Sequence, residues 1–321
     1  MRSLLLAVGL LLMPCLAQAE EIEIPGPQGP LKGALLVPAD VPQPPTMIII
    51  PGSGPTDRDG NNPLGVRAAS YRLLAEALAE QGIATLRIDK RGLFASAAAI
   101  ADPNAVSLAD YASDVRQWTE AARARTGAGC VWLIGHSEGG LVALQVAQEA
   151  QGLCGVVLVA SAGRPLGTVI KEQLAANPAN GFLLETANQA IDELSAGRRV
   201  DVAGMHPALL GLFKPEVQSF LMSILPVDPA KLAASASLPM LVMQGDTDIQ
   251  VSTEDARLLA AAAPGSTLAI LPGVNHVLKQ VEGSGRAANI ATYGNPDLPL
   301  ARGVAPKIAD FVKAAGSTPD K

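Results

Sequence analysis

Four mostly apolar runs, 47–50, 84–88, 131–134 and 156–160, punctuate the first half of the chain, and stretches with helical spacing separate them. Runs that are apolar throughout, rather than alternating, predict strands buried on both faces. Strands that alternate with helices predict a mainly parallel sheet covered by helices on both sides. The spacing predicts a helix over 66–81, with Tyr71, Leu74 and Leu78 on one face and Gly82 at its end. It predicts another over 107–126, with Tyr111, Val115 and Trp118 in one stripe, and a third from Ser137 to about Ala150. Upstream, EIEIPGPQGPLKGALLVPAD reads as two short strands around a turn rich in proline and glycine, an opening hairpin. The strand pattern resumes after Pro239 with MLVMQG and again over 267–271, and a last helix is predicted over 304–313.

Residues 164–236 break this rhythm. They carry helical patterns, such as 183–194 and 217–225, without a clear strand, and they are greasy for an insertion. The expected organisation is therefore an α/β catalytic domain made of 20–163 and 237–321, with a helical cap, 164–236, laid over the carboxyl edge of the sheet. A chain of 321 residues, 49% of them hydrophobic, has ample material for one such core. The formal net charge of −6, without a basic run, excludes the usual electrostatic footprint of a nucleic-acid binder.

The first residues read differently from the rest. Arg2, an apolar run over 4–12 and then Ala17-Gln18-Ala19 have the layout of an export signal, 1–19, cleaved after Ala19. The run is too short to span a bilayer, and no later stretch is long enough. The expected mature protein is soluble, with no membrane span, and lies in a bacterial periplasm or outside the cell. Export changes the reading of the cysteines. Cys130 and Cys154, which remain once Cys15 is removed, stand at the starts of two strands joined by one helix. Such strands run parallel and are often neighbours, so a disulfide can form there; two buried free thiols are the alternative.

The chemistry is concentrated in Gly135-His136-Ser137-Glu138-Gly139, between an apolar strand and a helix. A serine on such a sharp turn is thrown outward at the carboxyl edge of the sheet. It needs a base and a carboxylate that orients the base. The chain has three histidines. His136, next to the serine on a strand end, is expected to point away and pack; His206, in the cap before Pro207, is expected to line a loop or pocket. His276, in LPGVNHVLK just past the strand 267–271, is the expected base. The carboxylate is sought in MLVMQGDTDIQV, where Asp248 is far enough into the loop to turn back to His276, while Asp246 is better placed to fix the turn through its own amides. No cluster has metal-ligand spacing and no phosphate loop is present, so no metal or cofactor is expected.

The order Ser137, Asp248, His276, carried by GHSEGG, GDTDIQV and GVNHVL, resembles the α/β-hydrolase superfamily over nearly the whole mature chain. Within it, PGSGPTDRDGNN and DKRG look like a branch of carboxylesterases often labelled serine aminopeptidase-like hydrolases. The resemblance implies two backbone donors for an oxyanion: the N–H of Glu138, and one from the loop after strand 47–50. The family's usual histidine-glycine pair is Pro51-Gly52 here, so that donor falls by position on Ser53, with Gly54 as the alternative. One departure is visible: DKRG is followed by Leu93-Phe94-Ala95-Ser96, where such proteins tend to have a glycine and a serine. Asp57, Arg58, Asp59, Asp89 and Arg91 are expected to pair with one another and hold two loops. The implied activity is hydrolysis of a small-molecule carboxylic ester, of short to medium acyl length by the greasy cap. A peptidase or amidase with the same residues is the alternative, with Glu172, Glu185, Asp192 or Glu193 holding a peptide amino terminus. Acyl transfer to an alcohol and a non-catalytic binding role on the same fold are further readings. The sequence does not specify an oligomeric state.

Overall fold

The computed structural model describes residues 19–316; the export-signal reading of 1–19 falls, Ala19 apart, outside them. Eight strands form one sheet: β1 (Glu20–Ile24), β2 (Leu31–Leu36), β3 (Thr46–Ile50), β4 (Ala84–Ile88), β5 (Val131–His136), β6 (Leu153–Val159), β7 (Met240–Gly245) and β8 (Thr267–Leu271). Their spatial order is β1-β2-β4-β3-β5-β6-β7-β8. The hairpin β1–β2 and the pair β2–β4 are antiparallel; every pair from β4 to β8 is parallel. The central strands β3, β4, β5 and β7 are buried along their whole length, which is why their sequences are runs and not alternations.

Helices cover both faces. On one side α1 (Ser70–Glu80) and α11 (Val304–Gly316) bury Tyr71, Leu74, Leu78, Ile308 and Val312 against Met47, Ile49, Ile134 and Leu241. On the other side lie α2 (Leu108–Thr126), α3 (Glu138–Val146) and α9 (Thr253–Ala262), packed on Ile48, Leu86, Leu133 and Val156. Between β6 and β7 the chain runs through α4 (Leu166–Ala175), α5 (Leu184–Ser195), α6 (Pro207–Phe213), α7 (Pro215–Ile224) and α8 (Pro229–Ser235). Their buried residues, among them Leu194, Leu209, Phe213 and Leu221, join the cluster of α2 and α3. A short α10 (Gly285–Ala291) follows β8.

Besides α3, which ends at Val146 and not near Ala150, the elements depart from the spacing in two places. The first helix starts at Ser70 and not at 66, because side-chain and main-chain bonds hold the preceding loop in turns: Asn61 Oδ1 accepts the Ala69 N–H at 3.0 Å, and the backbone of Asn62 pairs with that of Val66. The second is α9, between β7 and β8, a helix not among those predicted from the spacing. Its start carries a capping box in which Ser252 and Asp255 satisfy each other's amides. In the DKRG segment, Phe94 stands at φ 47°, in the left-handed region a glycine takes without cost, and Ser96 is buried with its hydroxyl bonded to the Asp89 carbonyl.

Candidate active site

Ser137 caps α3 with φ 54° and ψ −121°, a strained conformation for a residue with a side chain. The neighbouring glycines make that turn possible. A Cβ at Gly139 would collide with the Ile50 carbonyl, and one at Gly135 with the carbonyl of Gly139. The Ser137 N–H donates to Val159 at 2.9 Å, which fixes the turn to the adjoining strand.

His276 sits in the loop after β8, with its Nδ1 2.8 Å from Asp248 Oδ2. A carboxylate oxygen only accepts, so Nδ1 carries a proton; in the neutral ring Nε2 then has the free lone pair that a base needs. The Asp248 carboxylate is saturated. Oδ2 also accepts from Gln244 Nε2 at 3.0 Å, and Oδ1 accepts the N–H groups of Gln250 at 2.7 Å and Val251 at 3.1 Å. Burial pushes the Asp248 carboxyl up, but the His276 ring, its hydrogen bond and these amides outweigh it and hold the group below its ordinary value. Asp246 does something else: its Oδ1 accepts the Gly273 N–H at 2.7 Å, so it holds the loop after β8 and not its own turn.

Ser137 stands between two hollows. One, of about 410 Å³, is lined by Ser53, Ser137 and Glu138 and by apolar side chains of α4 and α7, including Val169, Ile170, Phe220 and Ile224. The other, of about 140 Å³, is lined by Ser137, His276, Gly52, Thr56, Asn62 and Tyr293. At the first, the Glu138 N–H opens α3, where a helix has no acceptor of its own to offer. The Gly52 N–H is engaged by the Tyr71 hydroxyl, which leaves Ser53 as the next amide of that loop.

Several side chains do more than spacing assigned to them. His136 is buried and packs on the rings of Tyr71 and His276, and it is also hydrogen-bonded at both ring nitrogens, so it connects as well as packs. Glu138, read for its backbone alone, buries its carboxylate 3.5 Å from Lys90 Nζ. Lys90 belongs to the DKRG segment that carries the resemblance, but nothing in that segment assigns its side chain a partner. His206 is exposed, caps α6 by accepting the Ala208 N–H, and lines neither hollow. In the charged group Arg58 pairs with Asp89 at 3.4 Å and Arg87 with Asp59. Arg91 instead turns to Asp114 and Asp110 of α2. Cys130 and Cys154 are bonded, their Cα atoms 5.2 Å apart, at the starts of β5 and β6. Among the described residues no group of His, Cys, Asp and Glu is arranged to hold a metal ion, and no helix is long and apolar enough to cross a membrane.

Residues 64–280 match the sequence model of the family Hydrolase_4, serine aminopeptidase S33. Esterase EstD of Thermotoga maritima is 24% identical over 274 residues, 83% of this chain and 62% of EstD, so the chain spans less than two thirds of that relative. Among solved structures, Est1E from Butyrivibrio proteoclasticus superposes with a TM-score of 0.56 at 16% identity, over 94% of this chain and 100% of that one. The Pyrococcus furiosus esterase Pf2001 does so with a TM-score of 0.54 at 14% identity, over 93% of each chain. These likenesses are of fold.

Proposed function

The chain belongs to the Hydrolase_4 family, and we propose that within it the protein is a serine carboxylester hydrolase. The observation that carries this reading is the 2.8 Å bond between His276 Nδ1 and Asp248, at a histidine that shares a hollow with Ser137 on its strained turn. Ser137 Oγ attacks the ester carbonyl as His276 Nε2 takes its proton. The oxyanion is met by the N–H groups of Ser53 and Glu138. His276 then protonates the leaving alcohol, and water, activated by the same nitrogen, releases the acid from the acyl-enzyme. Asp248 keeps the imidazole in the required tautomer. The large apolar hollow takes an acyl group of short to medium length, and the small polar one faces the alcohol.

An ester is favoured over a peptide by the carboxylates of the helical segment, which are spent. Glu172 pairs with Arg164, Asp192 with Lys171 and Glu193 with Arg198, and neither they nor Glu185 line the large hollow. Little is left there to hold a peptide ammonium. The segment 164–236 acts, on this reading, as a cap that supplies the acyl wall. An exported location belongs to the same proposal and is supported by the Cys130–Cys154 bond, since disulfides persist in oxidising compartments. The activity is tested by comparing p-nitrophenyl butyrate with alanine and proline p-nitroanilides. Ester turnover at least a hundredfold above anilide turnover is expected; the reverse ratio overturns the reading.

A further inference from the structure

Resting on the ester-hydrolase reading, we infer that Lys90, Tyr71 and His136 form a buried clamp that sets the Ser53 amide and the His276 imidazole relative to Ser137. Tyr71 and His136 border the small hollow beside Ser137, but the Tyr71 hydroxyl and both His136 ring nitrogens are already bonded within the protein. All three are positioning residues, drawn from the carboxyl end of β4, the first turn of α1 and the end of β5.

The clamp begins at Gly52. Its carbonyl accepts Lys90 Nζ at 2.6 Å, and its N–H donates to the Tyr71 hydroxyl at 3.0 Å. A trans peptide is planar, with the C=O of one residue and the N–H of the next on opposite sides. Holding the Gly52 carbonyl towards Lys90 therefore aims the Ser53 N–H the other way. The loop passes so close to the nucleophile that a Cβ at Gly52 would stand 3.2 Å from Ser137 Cβ. A flipped peptide would point a carbonyl at the oxyanion; Lys90 opposes that flip. The Glu138 carboxylate, 3.5 Å from the ammonium, balances the buried charge.

In the rest of the chain of bonds one set of roles gives every proton an acceptor. The Tyr71 oxygen accepts from Gly52, so its own proton goes to His136 Nδ1, 2.9 Å away. His136 Nε2 lies 2.8 Å from the His276 carbonyl, which only accepts, so Nε2 carries the ring proton and Nδ1 the lone pair. His136 is thus neutral. Burial, with the nearby His276 ring, pulls it down to about 3, against the weaker pull of the His276 hydrogen bond and Asp248. A second tie runs in parallel, where Ser70 Oγ donates to the Val277 carbonyl at 2.6 Å. The oxyanion loop and the base loop, far apart in sequence, are in this way fastened to one tyrosine and one histidine.

The test uses Tyr71→Phe, His136→Phe, their double variant, and Lys90→Met combined with Glu138→Gln so that no buried charge is left alone. Each is assayed on p-nitrophenyl butyrate, with a trifluoromethyl ketone as an oxyanion-forming inhibitor and butyrate as a ground-state ligand. The kcat of each variant should fall by about ten- to hundredfold, with KM within about threefold, as for misplacement of reacting groups. The ketone should lose affinity in parallel and butyrate should not. The double variant should be no worse than the poorer single one, because residues acting as a unit are not additive. Nitrogen NMR of the wild type should find His136 protonated at Nε2 alone from pH 5 to 9. Variants within twofold of wild-type kcat, losses that multiply in the double variant, or a proton on His136 Nδ1 would each overturn the clamp. A wild type that hydrolyses no ester sinks the underlying reading instead, and the NMR result still judges the clamp.

Discussion

Replacing Asp248 by Asn changes one oxygen for an NH2 group and leaves the shape of the site intact. Oδ1 accepts two backbone amides, at 2.7 and 3.1 Å, so the Asn oxygen belongs there and its nitrogen takes the place of Oδ2. That nitrogen then faces two donors, His276 Nδ1–H and Gln244 Nε2, at what are now 2.8 and 3.0 Å. The ring relieves the conflict by moving its proton to Nε2, which removes the lone pair that the proposed reaction needs there. The wrong tautomer costs about 10⁴ in kcat in enzymes with this arrangement, which is about 5 kcal/mol of transition-state stabilisation. Substrate contacts are untouched, so KM should stay within a few-fold. Asp246→Asn weakens only the bond to Gly273 and should leave kcat within about threefold, the scale of one exposed hydrogen bond. Both variants are assayed on p-nitrophenyl butyrate, with the melting temperature recorded so that unfolding is not mistaken for lost chemistry. An Asp248→Asn enzyme that keeps a tenth of wild-type kcat, or an Asp246→Asn enzyme that loses more, refutes the reasoning.

Three further outcomes follow from the geometry. His136, lowered from 6.5 to about 3 by burial and the His276 ring, binds a proton in the unfolded chain but not in the folded one between those values. Its contribution to stability is therefore complete above pH 6.5 and lost as pH falls towards 3. His136→Gln should flatten the decline in urea stability between pH 6.5 and 4 by up to about 1.4 kcal/mol per pH unit; an unchanged slope contradicts the burial argument. Opening the Cys130–Cys154 loop by Cys130→Ser with Cys154→Ser should cost about 3 kcal/mol in the chain-entropy account, read from urea midpoints; a cost below 1 kcal/mol removes the bond from any stabilising role. Phe94→Gly should stabilise by about 1 kcal/mol, since Phe94 is substantially exposed and its φ of 47° penalises a side chain; a lowered melting temperature would show that the ring carries packing that outweighs the strain.

How much of this was legible along the chain depends on how local each signal is. The sheet was readable because β3, β4, β5 and β7 are buried on both faces and so need apolar runs. Ser137 could be picked out because its glycines lie two residues either side. Asp248 and His276 could be nominated because each follows a readable strand, although a contact 28 residues apart is not itself written in any window. The bonds of Tyr71, Lys90 and His136 carry no such mark. Their partners are 19, 38, 65 and 140 residues away, and a buried tyrosine at helical spacing looks the same whether or not its hydroxyl is bonded. The start of α1 differs from the spacing for a related reason: the Ala69 amide just before it is taken by the Asn61 side chain, and a polar side chain in a turn-rich loop does not announce which amide it will meet.

The proposed chemistry stands or falls with Ser137 as an activated nucleophile. A fluorophosphonate probe tests it directly, with the adduct located by mass spectrometry of the digested protein. One phosphonyl group on the peptide holding Ser137 is expected, absent from Ser137→Ala and much slowed in Asp248→Asn. A folded wild type that takes no label, or carries it on another residue, contradicts the account.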